Sequence, residues 1–473
     1  MTSRKMRRPQ RLGDKGWTRR RVIGGAVALM GGIMPGVACA QTGVARVPDH
    51  RRPGDRDDTA ATIRALATRL PVHFPAGLGL AADGAYLLKA VPLLAGAIIQ
   101  GDGPATVLRA LPDAMAVLVA ASRSSGETLD GIVLRDLRIE GLVTATGFRE
   151  HWNLVSLSGV DGVRIQRVQF VGFAGDGLYL GAEYGWPKRQ PRIIRNVIVQ
   201  DCLFDGINND NRNGISVTGG SDITIEGCKF RRCSRSTMPG PIDFEPDPFS
   251  FYRIERVRVL NCDFEDCGGN VGQVCIAIPA VVPPPRDVRI SGNRFRGYRG
   301  TGGDIVMTIN REPDAMMASM DCVIEKNIGV GGYSGIQIFS GKGILIRNNH
   351  WTRYKSRSLL GYASASAGVM DVTISDRFDG CGWREGVALA VYKGDGVRLE
   401  GNIFTGTGNG GAGSAPLYIG TGRIRRLMLV RNDWRSNPDA RGLIIVERGA
   451  DYVPGTAKVT GNILPVGRIL PNL

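Results

Sequence analysis

Histidine is scarce in this 473-residue chain, which has only His50, His73, His151 and His350. They fall at unrelated places and no C-x-x-C pair accompanies them, so zinc-ligand spacing is missing. Beyond residue 40 no run is long and apolar enough for a membrane-spanning helix. The glycine-rich stretch Gly406–Gly413 is followed by neither a lysine nor a helical pattern, which excludes a phosphate cradle. No nucleic-acid recognition motif is present. Nine cysteines would suggest disulfides in an exported protein, but their positions argue otherwise. Cys202, Cys228 and Cys262 recur at one repeat position, and Cys233, Cys267 and Cys381 each lie three residues beyond a Phe. That is how a solenoid core uses a small buried side chain, although neighbouring coils leave one or two bonds within reach.

What the chain does have is one recurring phrase: apolar-x-apolar-x-x-(Cys/Asn)-x-(aromatic or apolar). It begins at Ile132, Val163, Val197, Ile223, Val257, Val288, Cys322, Ile344, Val372, Val397, Leu427 and Ala457. The copy from Cys322 ends in Gly329 instead of an aromatic, and the copy Val372–Phe378 is one residue short. The 12 starts lie 22 to 34 residues apart. Apolar-x-apolar is the period of a short strand with one buried face, and a unit this small buries that face only by stacking on its neighbours. The expected fold is an all-β, right-handed, single-stranded parallel β-helix, ~55–60 Å long at about 4.8 Å per coil. Asn at the turn position is expected to take left-handed geometry and to ladder from coil to coil. The Phe or Trp two residues later should stack inside.

Residues 1–40 read as a signal peptide: Thr18-Arg19-Arg20-Arg21 after a basic stretch, the apolar run Gly24–Val37, then Ala38-Cys39-Ala40. The arginine pair resembles the twin-arginine export signal. A periplasmic or secreted protein beginning near Gln41 is expected, with no stable membrane insertion. Half of the net charge of +16 lies in those 40 residues. The mildly basic remainder suits an acidic polysaccharide and makes nucleic acid a poor partner. Residues 41–58 read as a linker and 59–473 as the β-helix. Within it, 59–70 should be a capping helix that buries Ile63, Leu66 and Leu70, with Asp58 or Thr59 as its N-cap.

One region departs from the repeat. Asn208–Ser216 is polar, and one coil later stands Gly240-Pro241-Ile242-Asp243-Phe244-Glu245-Pro246-Asp247. With Ile242 and Phe244 turned inward, Asp243 and Glu245 project outward, about 6.5–7 Å apart. That spacing fits an acid and a base flanking a water molecule in glycoside hydrolysis. Asp210 is a third candidate carboxylate. For substrate binding the candidates are Tyr179, Tyr184, Trp186, Arg212, Asp247 and Arg311, with the arginines suited to holding carboxylate or sulfate groups. Tyr179 is expected to align with Ser216 and Asp243 on successive coils. No cofactor is required for hydrolysis, and the metal question stays open.

Asp58-Thr59-Ala60-Ala61, Phe74-Pro75-Ala76-Gly77 and Gly101-Asp102-Gly103, together with the repeats, resemble the pectate-lyase-like superfamily over most of the chain. The run Gly240–Pro246 resembles an element of its uncharacterised members. The resemblance implies the parallel β-helix and an activity on glycans, but that fold hosts lyases, hydrolases, epimerases and non-enzymes. The G-H-G and R-I-K elements of polygalacturonases and the D-P-H motif of alginate epimerases are missing. A lyase reading would make Arg212 the base and the carboxylates calcium ligands. The expectation is an exported polysaccharide-degrading enzyme, hydrolase ahead of lyase. A non-catalytic glycan-binding or envelope-structural β-helix is the alternative.

Overall fold

Each coil turns three corners, and among the described residues most corners hold a residue with positive φ. In a computed structural model the described residues are 43–122, 129–183, 192–311, 313–314, 317–361, 368–408, 414–437, 442–447 and 457–465. The expected signal peptide, Gln41, Cys39, Tyr184 and Trp186 lie outside them. The strands are parallel and pair coil to coil. Val163, Val197, Ile223, Val257 and Val288 lie side by side on the first face. Phe170, Phe204, Phe230, Phe264 and Phe295 do so on the second. Their buried rings stack at 4.6 to 5.0 Å. The repeated phrase therefore spans two faces. A 13-stranded ladder, from Val91–Pro92 to Ile444–Val446, forms the third.

The turn geometry corrects one expectation. The left-handed residue is not the Cys/Asn itself but the one before it: Asp201, Asn261, Lys326 and Asn348 have φ of 53–57°, and glycine fills the place at Gly227 and Gly292. The next residue is thereby free to point inward and bond along the axis. Asn293 Nδ2 donates to Asn327 Oδ1 (2.9 Å), Asn327 to Asn349 (2.8 Å), and Asn402 to Asn432 (2.8 Å). The ladder is the expected one. Where cysteine replaces asparagine, the thiol reaches the same kind of acceptor: Cys228 Sγ lies 3.5 Å from the Val199 carbonyl, as Asn293 Nδ2 lies 3.0 Å from that of Val259. The eight described cysteines are all buried and unpaired.

Both imperfect copies are compensated. At Gly329 the missing aromatic leaves a gap in the stack, and Tyr354 fills it from the following turn. A Cβ on Gly329 would sit 2.0 Å from the Tyr354 hydroxyl and 2.8 Å from Asp304 Oδ2. The Tyr354 hydroxyl donates to Asp304, and Gln273 Nε2 holds the other oxygen at 2.7 Å. In the short copy Asp376 takes the ladder position. Its Oδ1 accepts from the backbone N–H and Nδ2 of Asn349, and its Oδ2 accepts from Trp351 Nε1 (3.0 Å). The backbone N–H of Asp376 donates to Asn402 Oδ1. Burial pushes the Asp376 carboxyl up to about 7.

The N-terminal helix covers Thr59–Ala67, shorter than expected, and buries Ala61, Thr62, Ala65 and Leu66, of which Ala61, Ala65 and Leu66 join the core. Ile63 is 41% exposed, a correction to the expected stripe. The small Ala61 and Ala65 let the helix lie close, and they rotate the buried face away from Ile63. Asp58 makes no side-chain cap to the helix. Its Oδ2 accepts from the backbone N–H groups of Leu80 and Leu87, both 3.0 Å, and its Oδ1 accepts from Arg51. Asp58 thus ties the cap to the first coils. Among the described residues no helix is long and apolar enough to cross a membrane.

Candidate functional site

On the third face, alternation turns Ile215, Val217, Ile242 and Phe244 into the core, all 0% exposed, and leaves Ser216 and Asp243 directed outward. Ladder pairing sets Tyr179 beside Ser216 and Ser216 beside Asp243, the expected alignment. The row continues through Cys275 and Val306. Glu245 follows Phe244, so it projects on the same side as Asp243 and is exposed to solvent.

Asp243 departs from the open, solvated carboxylate that the sequence suggests. It is 1% exposed, lying low between Ser216 and Cys275. Asn213 Nδ2 reaches its Oδ2 at 3.3 Å, while its Oδ1 is buried with no hydrogen-bond partner. Burial, and then the neighbouring Glu245 charge, push this carboxyl up to about 8, with the Arg212 guanidinium opposing. Asp243 therefore carries a proton at neutral pH.

Arg212 does not stand free for a substrate. Its Nη1 donates to both oxygens of Asp176, at 3.1 and 3.0 Å, and to Ser216 Oγ at 2.8 Å. Glu150 lies 4.0 Å from its Nε. Asp176 is 2% exposed, and burial raises its pKa against the pull of Arg212. The backbone N–H of Asn213 also donates to Asp176, at 3.2 Å, and Asn213 Nδ2 holds Ser216 Oγ at 2.8 Å. Asp176, Arg212, Asn213, Ser216 and Asp243 thus form one polar chain across three coils, buried but for the part-exposed Arg212. Asp176, Asn213 and Glu150 escaped the sequence reading. Aligning the third-face strands on Leu178, Ile215 and Ile242 puts Asp176 and Asn213 at one position, and that alignment was the available signal.

The remaining candidates lie elsewhere. Asp210 sits on the turn before the strand, 3.4 Å from Arg235, and Asp247 on the loop that follows it. Arg311 donates to the backbone carbonyls of Ala280 and Val282 (2.8 and 3.4 Å), so it braces a loop rather than reaching the carboxylates. Tyr179 is half-buried, with its hydroxyl 3.0 Å from Thr218 Oγ1. No grouping of three or more His, Cys, Asp or Glu side chains among the described residues is arranged to hold a metal ion.

Comparison with known proteins agrees with this architecture. The model of the right-handed β-helix region family matches residues 153–331, which contain the polar chain. The uncharacterized protein YclG of Bacillus subtilis (strain 168) is 23% identical over 312 residues, 58% of this chain and 51% of YclG, so the match spans about half of that relative. Among solved structures, the pre-mature gene product 12 of bacteriophage phi29 is similar with a TM-score of 0.62 and 14% identity. That likeness covers 88% of this chain and 55% of the phage protein. The Agl-KA catalytic domain is similar at 0.51 and 10% identity, over 90% and 70% of the two chains. PfbA, a surface adhesin of Streptococcus pneumoniae, is similar at 0.51 and 14% identity, over 83% and 91%. At these identities the likeness is one of fold, and the fold is a right-handed, single-stranded parallel β-helix.

Proposed function

We propose that the chain is an exported glycoside hydrolase in which Asp243 is the acid and Glu245 the base. The observation that carries this reading is the contrast between two carboxyls on one rigid strand. Asp243 is buried and holds its proton to about pH 8, while Glu245 two residues on is exposed. Environments that separate two carboxyls in this way assign an acid and a base. With Cβ atoms about 6.5–7 Å apart, the pair fits the inverting arrangement. Asp243 gives its proton to the glycosidic oxygen as the C1–O bond breaks and its electron pair goes to that oxygen. Glu245 takes a proton from water as the water oxygen bonds to C1.

The charge balance supports a neutral glycan over an acidic one. The single arginine of the cluster is already neutralised by Asp176 and faces Glu150, and Glu245 adds a further negative charge. A uronate here would meet like charge. The burial of Asp243 favours one second reading, a glycan-binding β-helix without catalysis. Both a catalytic domain and an adhesin share the fold.

A screen of neutral and acidic polysaccharides, read by reducing ends and by absorbance at 235 nm, tests the proposal. Hydrolysis of a neutral polymer, lowered at least ~100-fold in Asp243→Asn and Glu245→Gln, is the expected result. An unsaturated product would replace hydrolysis by a lyase reaction with Arg212 as base. Binding without turnover would leave the second reading.

A further inference from the structure

The row that carries Asp243 does not end at the candidate site. Coil by coil it runs Asp243, Cys275, Val306, Gln337, Leu359, Ala390 and Tyr418. Six steps of about 4.8 Å place Tyr418 roughly 29 Å from Asp243 on a line parallel to the axis. The intervening side chains are of small or moderate size, and Cys275, Val306 and Ala390 are no more than 1% exposed. They form a low strip between the Asp243 chain and a second polar cluster.

The second cluster is aromatic. The Tyr392 and Tyr418 rings lie 5.5 Å apart at 51°. The Arg357 guanidinium stands 5.5 Å from one centroid and 5.8 Å from the other. Glu385 fixes Arg357 at 3.7 Å, and it accepts from the Tyr333 hydroxyl (2.7 Å) and from Ser356 Oγ (2.6 Å). The Tyr418 hydroxyl donates to Glu447. On the loop that carries Glu385, Trp383 is 49% exposed. Core packing does not require these groups: Tyr418 points away from the core between Leu417 and Ile419, both 0% exposed.

We infer that Arg357, Tyr392, Tyr418 and Trp383 form a second glycan-binding station, which holds a distant stretch of the same polymer that enters at Asp243. Aromatic faces accept the C–H faces of pyranose rings, and pre-set Arg and Glu side chains take up the hydroxyls. Arg357, the guanidinium that faces both rings, is already paired with Glu385, which favours a neutral chain. The inference rests on the hydrolase reading for what happens at Asp243 but not for binding at Tyr418. A chain engaging both stations is held by effective concentration, so affinity should rise with chain length once the roughly 29 Å gap is spanned.

The full-length Asp243→Asn protein serves as the test form, run by affinity electrophoresis through dextran, mixed-linkage β-glucan and mannan, with polygalacturonate as the acidic probe. Retardation by at least one neutral polymer is expected. Adding Tyr418→Ala or Trp383→Ala should weaken that retardation at least tenfold, while affinity for short oligosaccharides of the same sugar stays within twofold. Tyr418→Phe keeps both rings and should keep the affinity, which separates lost stacking from a misfolded terminal coil. Retardation by polygalacturonate alone, retardation by nothing, or unchanged retardation of the Trp383→Ala form would each overturn the inference. The hydrolase reading fails separately, if Asp243→Asn keeps wild-type turnover.

Discussion

Asp376→Asn should change the stability of the protein in opposite directions at low and high pH. The folded carboxyl sits at about 7, while the unfolded chain titrates near 3.9. A raised folded-state value means that the native protein holds its proton while the unfolded chain releases it. The contribution is therefore full below about pH 4 and is lost as pH rises to about 7. Three units at 1.36 kcal/mol each amount to about 4 kcal/mol. Asparagine carries no such cost, but its amide would set an N–H against the indole N–H of Trp351, which now donates to Asp376 Oδ2 at 3.0 Å. That mismatch costs about 1–3 kcal/mol at every pH. At pH 4 the variant should be the less stable form by that amount, and at pH 8 the more stable by about 1–3 kcal/mol. Guanidinium unfolding of both proteins across this range isolates the effect, because every other titrating group is common to the two. A difference that stays constant within about 0.5 kcal/mol from pH 4 to 8 would show that Asp376 is ionised throughout.

Hydrolysis should fall as pH rises through about 8, where Asp243 loses its proton; a rate still climbing at pH 9 would remove Asp243 as the acid. Gly329→Ala should destabilise by roughly 2–4 kcal/mol, because its Cβ lands 2.0 Å from the Tyr354 hydroxyl, and a thermal melt reads this directly. Cys262→Asn should be tolerated within about 1 kcal/mol, since the Asn293 Oδ1 that accepts from the Cys262 backbone N–H at 2.9 Å can also take the new amide; a molten variant would contradict the shared acceptor geometry. For export, Arg19-Arg20 to Lys-Lys should leave precursor in the cytoplasm, and efficient secretion of that form would refute the twin-arginine reading.

The repeat was legible because its signal is written in side chains whose only role is packing. Val163, Val197, Ile223 and Val257 recur with the period of a strand, and Phe170 through Phe295 recur two residues past a fixed turn. What sequence could not place was anything set by a neighbouring coil. Asp243 looks exposed when its strand is read alone. It is buried because Ser216 and Cys275 flank it and Asn213 reaches it from 30 residues upstream in sequence. Arg212 looked available for an anion, and only the register of the third face reveals that Asp176 already holds it. Ile63 misled for a similar reason, since the helix stripe was chosen by size, whereas close approach selected the alanines.

The corner residues with positive φ bear on how such a chain can change over generations. Asn196, Asp222, Arg256 and Asp287 precede the first face, and Arg232, Asp266 and Gly297 follow the second. Together with the corner before each Cys or Asn they pin most coils at three points. Among the described residues the strands keep pairing coil to coil, with register shifts at Arg347/His350 and Ile403/Thr405, even though the repeats differ in length by up to 12 residues. Extra residues are absorbed between pins and are not passed on to the next coil. A duplication or insertion at one corner is thus quarantined. The rim of the third face can be rewritten loop by loop, and recognition can drift to a new partner while the ladders beneath keep their register.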